Sequence, residues 1–433
     1  MLNSDQQLAL TAIFRWWRSR DLFMILNGKG GVGKSYLLDE VVDSLNCSPL
    51  MLCPTHEALK QLRDKVKGEM LFRTVHSALG IAPTTHTDTL SFEQIALPKY
   101  WDDIDLVIVD ECSMIAQEIL DILVSLGKKI LFVGHEAQLP PVAEKRSVLD
   151  KCEAPVFAQG FPVVTLTIPM RNTGELWDFN NKLEEMIYNP KSRLIPNTFN
   201  IKESEFKQLL VDKEEQQNIF NNNLKFVLWS NKGVEEWNSR LRQLFFGEKA
   251  LSNRYLPGDK ILLTKPVNPI GGLETMKDKA LKSIKAEDIP SLYSNSKGTV
   301  ISCDRTVVSF YDKMHLHCYR LMVEIEGEKY QLYEPLDKRD LLIIESHYKS
   351  LAFQQKTPDA KKKAFKFLHF VLSLFANCLH SYAMTSHRLQ GSSIDSVVVI
   401  YKDIQKNQNI VEQKKCLYVA CSRAINRLMI YRG

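Results

Sequence analysis

The residues with the clearest capacity for chemistry lie near the start of the chain. Gly28-Lys29-Gly30-Gly31-Val32-Gly33-Lys34-Ser35 has the spacing G-x-x-x-x-G-K-[ST], the pattern of loops that wrap a phosphate. Glycines let successive backbone N–H groups turn inward on an anion, and a helix starting at Lys34 would add the positive end of its dipole. Lys34 would reach the β and γ phosphates of a nucleotide, and Ser35 would ligate Mg2+. A second cluster, Asp110-Glu111, ends the apolar run Leu106–Val109. Asp110 is placed to hold Mg2+ through a water, and Glu111 to polarise an attacking water as general base. Either motif alone has a plain structural reading, as a glycine-rich turn or as carboxylates capping the next helix. Together, at this separation, they predict hydrolysis of a nucleoside triphosphate rather than phosphoryl transfer to a metabolite.

Lys29 invites a different reading. Lys-Gly-Gly-x-Gly-Lys-Ser also suits the loops of partitioning ATPases, whose extra lysine crosses a dimer interface. Those loops are followed, after the next buried strand, by Asp-x-x-x-Gly, whereas Asp110 here precedes Glu-Cys-Ser-Met. Guanine recognition would need Asn-Lys-x-Asp, and the chain offers only Asn181-Lys-Leu-Glu and Asn231-Lys-Gly-Val. Both alternatives lose on their companion motifs.

These motifs must be held by buried strands. Apolar runs at Phe23–Leu26, Leu50–Cys53, Leu106–Val109 and Ile130–Val133 alternate with amphipathic helical patterns. Runs of this length without alternation suit strands covered on both faces, as in a parallel sheet. The pattern returns at Phe226–Trp229, Val397–Tyr401 and Leu428–Tyr431, with helices expected at Val234–Phe245 and Gln413–Ala424. Residues 251–375 read differently: alternation over Arg305–Glu326 predicts a small antiparallel barrel, and Thr357–Leu374 a helical tail. Gly80–Pro98 predicts a hairpin carried outside the first α/β unit. The 433 residues leave room for about three domains.

Composition excludes several classes. With 45% hydrophobic and 25% charged residues the chain is not disordered. No stretch reaches the roughly 18 uninterrupted apolar residues of a membrane span. Met-Leu-Asn-Ser-Asp at the start lacks the basic and apolar regions of a secretion signal. Nine cysteines without a Cys-x-x-Cys encode neither a zinc ribbon nor a disulfide framework. The net charge of +5 means that a polyanion, if bound, is held by a groove and not by a basic tail.

Taken in order, the motifs resemble those of superfamily 1 helicases over nearly the whole chain. Leu2-Asn3-Ser4-Asp5-Gln6 looks like the Q motif, which implies that Gln6 reads adenine. Pro54-Thr55-His56-Glu57-Ala58 resembles motif Ia and Thr74-Val75-His76-Ser77 motif Ib, implying nucleic-acid contacts at Thr55, His56, Thr74 and His76. Asp110-Glu111-Cys112-Ser113-Met114 is similar to motif II. Gly134-His135-Glu136-Ala137-Gln138-Leu139-Pro140-Pro141 resembles motif III, with Gln138 sensing the γ phosphate. Leu166-Thr167-Ile168-Pro169-Met170-Arg171 looks like motif IV and Tyr418-Val419-Ala420-Cys421-Ser422-Arg423-Ala424 like motif VI. Arg171 and Arg423 are the implied arginine fingers, a device worth about 10³–10⁵ in rate.

Thr385-Ser386-His387-Arg388-Leu389-Gln390-Gly391-Ser392 resembles motif V of the RecD/Dda-type branch, which moves 5′ to 3′ on single-stranded DNA. This implies DNA contacts at Thr385 and His387, with Gly391 at the nucleotide. Val227–Lys232 with Trp237-Asn238 is similar to the branch's strand and helix after motif IV, implying a DNA contact at Asn231. Phe92 matches the aromatic of the branch's strand-separating pin. The chain departs from the pattern at His135, where Asp is usual, at Arg388 for Lys, and at Ser422 for Thr.

The resemblance implies an α/β fold of two RecA-like parallel-sheet P-loop domains. The first (1A) would comprise 1–79 and 99–170, with 80–98 as its β-hairpin pin (1B). The second (2A) would comprise 171–250 and 376–433, with 251–375 as an SH3-like β-barrel insertion bearing a helical extension (2B). The expected activity is that of an ATP-dependent DNA helicase, an ATP hydrolase that translocates 5′ to 3′ and unwinds duplex, with ATP and Mg2+ as cofactors. Replication, recombination and repair of DNA are the expected settings. Alternatives are a single-strand translocase that displaces proteins without processive unwinding, or a partitioning-type ATPase switch. Expected partners are single-stranded DNA, single/double-strand junctions, and a single-strand-binding protein or other replication-fork components. A cytoplasmic monomer is expected, in the host cytoplasm if phage-encoded, with no membrane contact.

Other residues have plainer readings. His315-x-His317-Cys318 lies on an alternating strand without a fourth ligand, so two strand histidines are expected rather than a metal site. Trp16-Trp17 fits core packing or a place beside adenine, and Lys361, Lys362, Lys363 and Lys366 a solvated face.

Overall fold

The computed structural model describes residues 2–67, 70–84, 91–94, 97–141, 153–170, 174–189, 191–192, 197–276, 281, 283–284, 289–310 and 314–433. The side chains of 82–84, 91–94, 310 and 314 lie outside that description. The strands in chain order are β1 (Phe23–Gly28), β2 (Pro49–Cys53), β3 (Leu71–Thr74), β4 (Ile81–Thr84), β5 (Ser91–Gln94), β6 (Leu106–Val109), β7 (Lys129–Gly134) and β8 (Val163–Leu166). They continue as β9 (Asn200–Ile201), β10 (Leu224–Leu228), β11 (Lys260–Leu263), β12 (Lys297–Phe310), β13 (Met314–Ile325), β14 (Glu328–Pro335) and β15 (Cys378–His380). β16 (Ala383–Thr385), β17 (Ile394–Ile400) and β18 (Ala424–Tyr431) complete them.

Two compact units divide the chain, Met1–Leu209 with Asn223–Val234 and Met384–Gly433, and Leu210–Asn222 with Glu235–Ala383. The first unit carries two sheets. One has the order β3-β2-β6-β7-β1-β8, every neighbouring pair parallel. Because side chains alternate along a strand, this sheet feeds two cores. Met24, Leu26, Met51, Leu106, Ile108, Leu131 and Val133 enter one, together with Trp16. Ile25, Leu50, Leu52, Val107, Val109, Ile130 and Phe132 enter the other. Double-sided burial explains why the strands read as unbroken apolar runs, and each fully buried Ile, Leu or Val contributes about 1.5–3 kcal/mol. The hairpin β4–β5 pairs Ile81 with Gln94 and Pro83 with Phe92.

The other sheet has the order β16-β10-β17-β18-β9, with β10, β17, β18 and β9 parallel. Its strands begin earlier than the sequence expectation, β10 at Leu224, β17 at Ile394 and β18 at Ala424, and three boundary residues differ for local reasons. Trp229 is not in β10, because its N–H and that of Ser230 are taken by the Asp403 carboxylate at 2.9 and 2.8 Å, not by a neighbouring strand. Tyr401 starts the short helix Tyr401–Ile404 instead of ending β17. Ala424 opens β18 opposite Ile394 instead of closing the preceding helix, Ile410–Ser422.

The second unit is built on an antiparallel sheet, β14-β13-β12-β11-β15, whose longest members are β12 and β13. Buried Arg242 grips buried Asp259 through two hydrogen bonds of 2.9 and 2.8 Å, tying the helix Asn231–Phe246 to the turn before β11. Two helices, Arg339–Phe353 and Pro358–Ser373, pack on this sheet through Ile344, Tyr348, Leu368 and Val371. His315 and His317 sit on β13 as ordinary strand residues, His315 Nδ1 2.9 Å from Ser309 Oγ. Among the described residues, no helix is long and apolar enough to cross a membrane.

Candidate active site

β1 delivers the chain at Gly28 into the glycine loop, and the helix Lys34–Leu45 leaves from it. Two of the glycines are demanded by the backbone: Gly31 and Gly33 hold φ of 89° and 82°, in the left-handed region. Space adds a further demand at Gly28, where a Cβ would lie 2.9 Å from Val32 Cγ2 and 3.2 Å from the Leu166 carbonyl oxygen. Gly30 is open on that side, so nothing in this state of the chain requires it to be glycine.

Lys34 folds back across the loop. Its ammonium donates to the carbonyls of Gly28 (2.6 Å) and Lys29 (2.9 Å). Burial lowers its pKa, while Asp110 and Glu111 pull it up and Arg423 pushes it down. Asp110 is pushed up to about 6, first by burial and then by Glu111, with Lys34 opposing. Glu111 takes a left-handed φ of 52° just after β6 and donates its N–H to Asp110 Oδ1 at 2.9 Å. That conformation is costly for a residue with a Cβ. It leaves Glu111 Oε2 buried with no hydrogen-bond partner among the described residues. A buried acceptor without a donor, beside a carboxyl that titrates near neutrality and an ammonium within the loop, fits a site for a triphosphate with its cation and attacking water. Lys34 and the loop amides would hold the phosphates, Ser35 and Asp110 the Mg2+, and Glu111 the water.

Gln6 is fully buried behind the loop. Its carbonyl accepts from Asn3 N at 3.0 Å in a capping box of the helix Ser4–Arg18, and its amide donates towards Gly33 and Val32 carbonyls at 3.4 and 3.5 Å. Gln6 thus braces the phosphate loop, and its amide serves the backbone in this state.

The second sheet supplies the facing wall. Arg423 follows the helix Ile410–Ser422, nearly buried, with Nη1 3.4 Å from the Ser392 carbonyl. Its charge acts on Lys34, lowering the pKa of that ammonium. Gly391, at φ 80°, brings its loop close to Glu111: a Cβ there would lie 4.0 Å from Glu111 Oε1. Gln138 Oε1 accepts from Ser113 Oγ at 2.9 Å, and Ser113 Oγ accepts from Gln390 Nε2 at 3.1 Å. Three buried side chains from the ends of β6 and β7 and from the loop after β16 thereby form one chain of hydrogen bonds between the sheets. Ser113 and Gln390 were not singled out individually by the sequence. Each looks like an ordinary polar loop residue until the fold joins them. Arg171, the other expected finger, lies outside the described residues.

The residues expected on nucleic acid share a local device. Thr55, Thr74 and Thr385 each stand at or just past a strand end and cap the next helix, accepting from Ala58 N (3.2 Å), Ser77 N (3.4 Å) and Arg388 N (3.3 Å). Their hydroxyls are therefore engaged by the backbone. Cys53, two residues before Thr55, pairs with Thr74 across β2 and β3. Burial lowers the pKa of His56 to about 4 and lowers those of His76 and His387, so all three are neutral near pH 7. His387 Nε2 is 3.6 Å from Glu412 Oε1. Asn231 is exposed at the start of the helix Asn231–Phe246. Phe92 lies in β5 opposite Pro83, and its side chain lies outside the described residues.

Comparison with known proteins bears on this geometry. Residues 13–144 match a family model described as an AAA domain, and residues 312–432 one described as the viral superfamily 1 RNA helicase core domain. The chain is 22% identical to the ATP-dependent DNA helicase dda of Enterobacteria phage T4, over 98% of this chain and 97% of that one. It is 26% identical to an uncharacterized protein of Acanthamoeba polyphaga mimivirus, over 99% of each. Among solved structures, Bacteroides Pif1 helicase in complex with ADP-AlF3 and single-stranded DNA superposes with a TM-score of 0.54 at 17% identity, covering 99% of this chain and 92% of that one. A second Pif1 structure, described as showing unwinding at forked duplex DNA, gives 0.52 at the same identity and coverage.

A phosphate loop after β1, an acidic pair after β6 and an arginine from a second parallel sheet define a P-loop ATPase with two RecA-like sheets. Within that class the chain is similar to superfamily 1 helicases in both matched segments and along nearly its whole length, and it is an ATP-hydrolysing enzyme.

Proposed function

We propose that this chain is a DNA motor that moves 5′ to 3′ along single strands and opens duplex ahead of it, driven by Mg-ATP hydrolysis between its two parallel sheets. The observation that carries the reading is the chain of hydrogen bonds Gln138–Ser113–Gln390, which joins the first sheet's loops to the loop after β16, with Arg423 of the second sheet close enough for its charge to act on Lys34. A triphosphate in such a site is shared by two walls, so its arrival and loss alter how the walls are held together. Similarity to a phage DNA helicase over nearly the full length favours DNA as the track.

Each residue then has a task. Lys34 releases its loop carbonyls and donates to the phosphates. Glu111 Oε2 accepts the proton of the attacking water, Gln138 senses the γ phosphate, and Arg423 and Arg171 neutralise the charge that develops on it. Mg2+, held by Ser35 and Asp110, would supply further charge neutralisation. The capped strand ends bearing Thr55, His56, Thr74, His76, Thr385 and His387, with Asn231, present backbone N–H groups and neutral imidazoles to a strand. That favours contacts to sugar and phosphate over base edges, and hence little sequence preference. The hairpin spanning 80–98 acts as the wedge, with Phe92 against the junction, and 251–375 is the 2B insertion. The chain acts as a monomer on single-stranded DNA and forks in the cytoplasm, alongside a single-strand-binding protein.

The test is unwinding of forked duplexes carrying a 5′ or a 3′ tail, run beside Lys34→Ala. The 5′-tailed substrate alone is opened, and Lys34→Ala opens neither. Opening of the 3′-tailed substrate alone overturns the polarity, and an active Lys34→Ala overturns the site.

A further inference from the structure

The helix Glu175–Tyr188 buries Phe179, Leu183, Met186 and Ile187 on one side. On its polar side Trp177, Asn181, Glu184 and Tyr188 recur at i, i+4, i+7 and i+11, a single stripe. By sequence such a stripe reads as solvated. In the structure all four members reach the loops that follow β1 and β7. The Lys29 ammonium lies 5.5 Å from the Trp177 ring centroid, donates to Asn181 Oδ1 at 2.5 Å, and forms an ion pair with Glu184 Oε2. Glu184 Oε1 is 3.0 Å from His135 Nε2. Tyr188 donates to Glu136 Oε1 at 2.6 Å. The helix Ile410–Ser422 adds Tyr418 OH, 3.2 Å from His135 Nδ1, and Lys415, which donates to the Glu136 carbonyl at 2.8 Å.

His135 occupies the position where the motif resemblance leads one to expect an aspartate, and the acid that meets its ring, Glu184, comes from the helix Glu175–Tyr188. With Tyr418 donating to Nδ1, the neutral imidazole donates from Nε2 to Glu184, so both ring nitrogens and both carboxylate oxygens are used. Burial keeps His135 neutral against the pull of Glu184, with Lys34 and Lys29 opposing protonation. Burial also raises Glu184, but His135 and Lys29 outweigh it and leave the carboxylate ionised.

We propose that Glu184 is a positioning residue of the ATPase: through one carboxylate it holds the phosphate-loop residue Lys29 and His135 at the end of β7, tying the helix Glu175–Tyr188 to the nucleotide site. The partners of Lys29 are in its own chain, which accounts for the extra loop lysine without a dimer. While Glu184 is paired with Lys29, a negative charge stands beside the phosphate loop. An incoming phosphate competes with it for that ammonium, and so the helix responds to occupancy of the loop.

Two effects of opposite sign follow, and the inference rests on the phosphate loop being the nucleotide site. Glu184→Gln keeps the shape but gives up the ion pair, so the Lys29 ammonium no longer has to be won from a carboxylate by an incoming phosphate. Nucleotide should bind roughly tenfold more tightly, while kcat falls because the helix no longer follows the loop. Lys29→Met should weaken binding by a similar factor. The measurement is equilibrium titration of fluorescent ADP, with KM and kcat for ATP, on wild type, Glu184→Gln, Glu184→Asp, Lys29→Met and Lys29→Met/Glu184→Gln. Binding by wild type and its loss in Lys34→Ala check the site independently of the inference. In the Lys29→Met background Glu184→Gln should no longer tighten binding, and Glu184→Asp should restore most of kcat. Additive effects in the double variant, or a Glu184→Gln that lowers affinity and kcat together, would overturn the proposal. Unchanged affinity and kcat in Glu184→Gln would overturn it equally.

Discussion

Replacing Ser113 by Ala probes the hydrogen-bond chain between the sheets at its centre. Ser113 is fully buried, and its hydroxyl is hydrogen-bonded to two buried side-chain amides. Without it, Gln138 Oε1 loses its donor, a loss of about 1–3 kcal/mol for a buried acceptor left unsatisfied. Gln390 Nε2 suffers less because it also donates to the Leu139 carbonyl at 3.3 Å, so the total expected is about 2–3 kcal/mol. Urea unfolding of wild type, Ser113→Ala, Gln138→Leu and the double variant reads this directly. The double variant should recover part of the loss, because replacing both partners by apolar groups removes the unsatisfied atom. Gln138 freed from Ser113 should also sense the γ phosphate less well, with kcat falling roughly tenfold, about 1.4 kcal/mol of barrier. A Ser113→Ala protein with unchanged stability and unchanged kcat would refute the hydrogen-bond chain as a structural and functional element.

Two further outcomes follow from packing and burial. Gly134→Ala places a Cβ 2.7 Å from Cys112 Sγ and 3.3 Å from Cys112 N, so stability should fall by about 1–3 kcal/mol; adding Cys112→Ala should recover part of it, and no loss in urea midpoint would contradict the close approach. Burial, reinforced by Arg242 and Arg254, holds His380 down to about 3 from an ordinary 6.5, although Asp259 Oδ2 is 3.8 Å away. The native state therefore refuses a proton that the unfolded chain accepts. The stability this neutral histidine brings is complete above pH 6.5 and is lost as the pH falls towards 3, at about 1.4 kcal/mol per pH unit. His380→Gln should flatten the acid limb of the stability curve, and an identical limb in both proteins would contradict this.

Much of the nucleotide site was legible because its determinants are local. β6 runs over the expected Leu106–Val109 residue for residue, since an apolar run ending in two carboxylates leaves little choice of register. The phosphate loop declares itself through glycines whose φ only glycine adopts comfortably. The helix Ile410–Ser422 was expected three residues late, from Gln413. Its true start is marked by Asn409, whose side chain accepts from Val411 N and Glu412 N at 3.1 Å. Lys414 and Lys415 obscured that start, for both are buried and spend their ammonium groups on backbone carbonyls instead of solvent. Trp229 was assigned to a strand on its apolar character, but Asp403, far away in sequence, takes its N–H. Glu184 had no local signal, because a carboxylate on the polar side of an amphipathic helix looks the same whether it meets water or a lysine from another element. The one hint was His135, a buried imidazole where a carboxylate is usual.

The central claim is that hydrolysis takes place between two walls, with Arg423 completing from the second sheet a site that Lys34 and Glu111 begin on the first. Steady-state ATP hydrolysis by Arg423→Ala, with and without saturating single-stranded DNA, tests it most directly. The account predicts that nucleotide still binds, that single strands stimulate the wild type, and that the variant loses at least roughly 10³-fold in kcat under both conditions. A variant that hydrolyses ATP at the wild-type rate would contradict it.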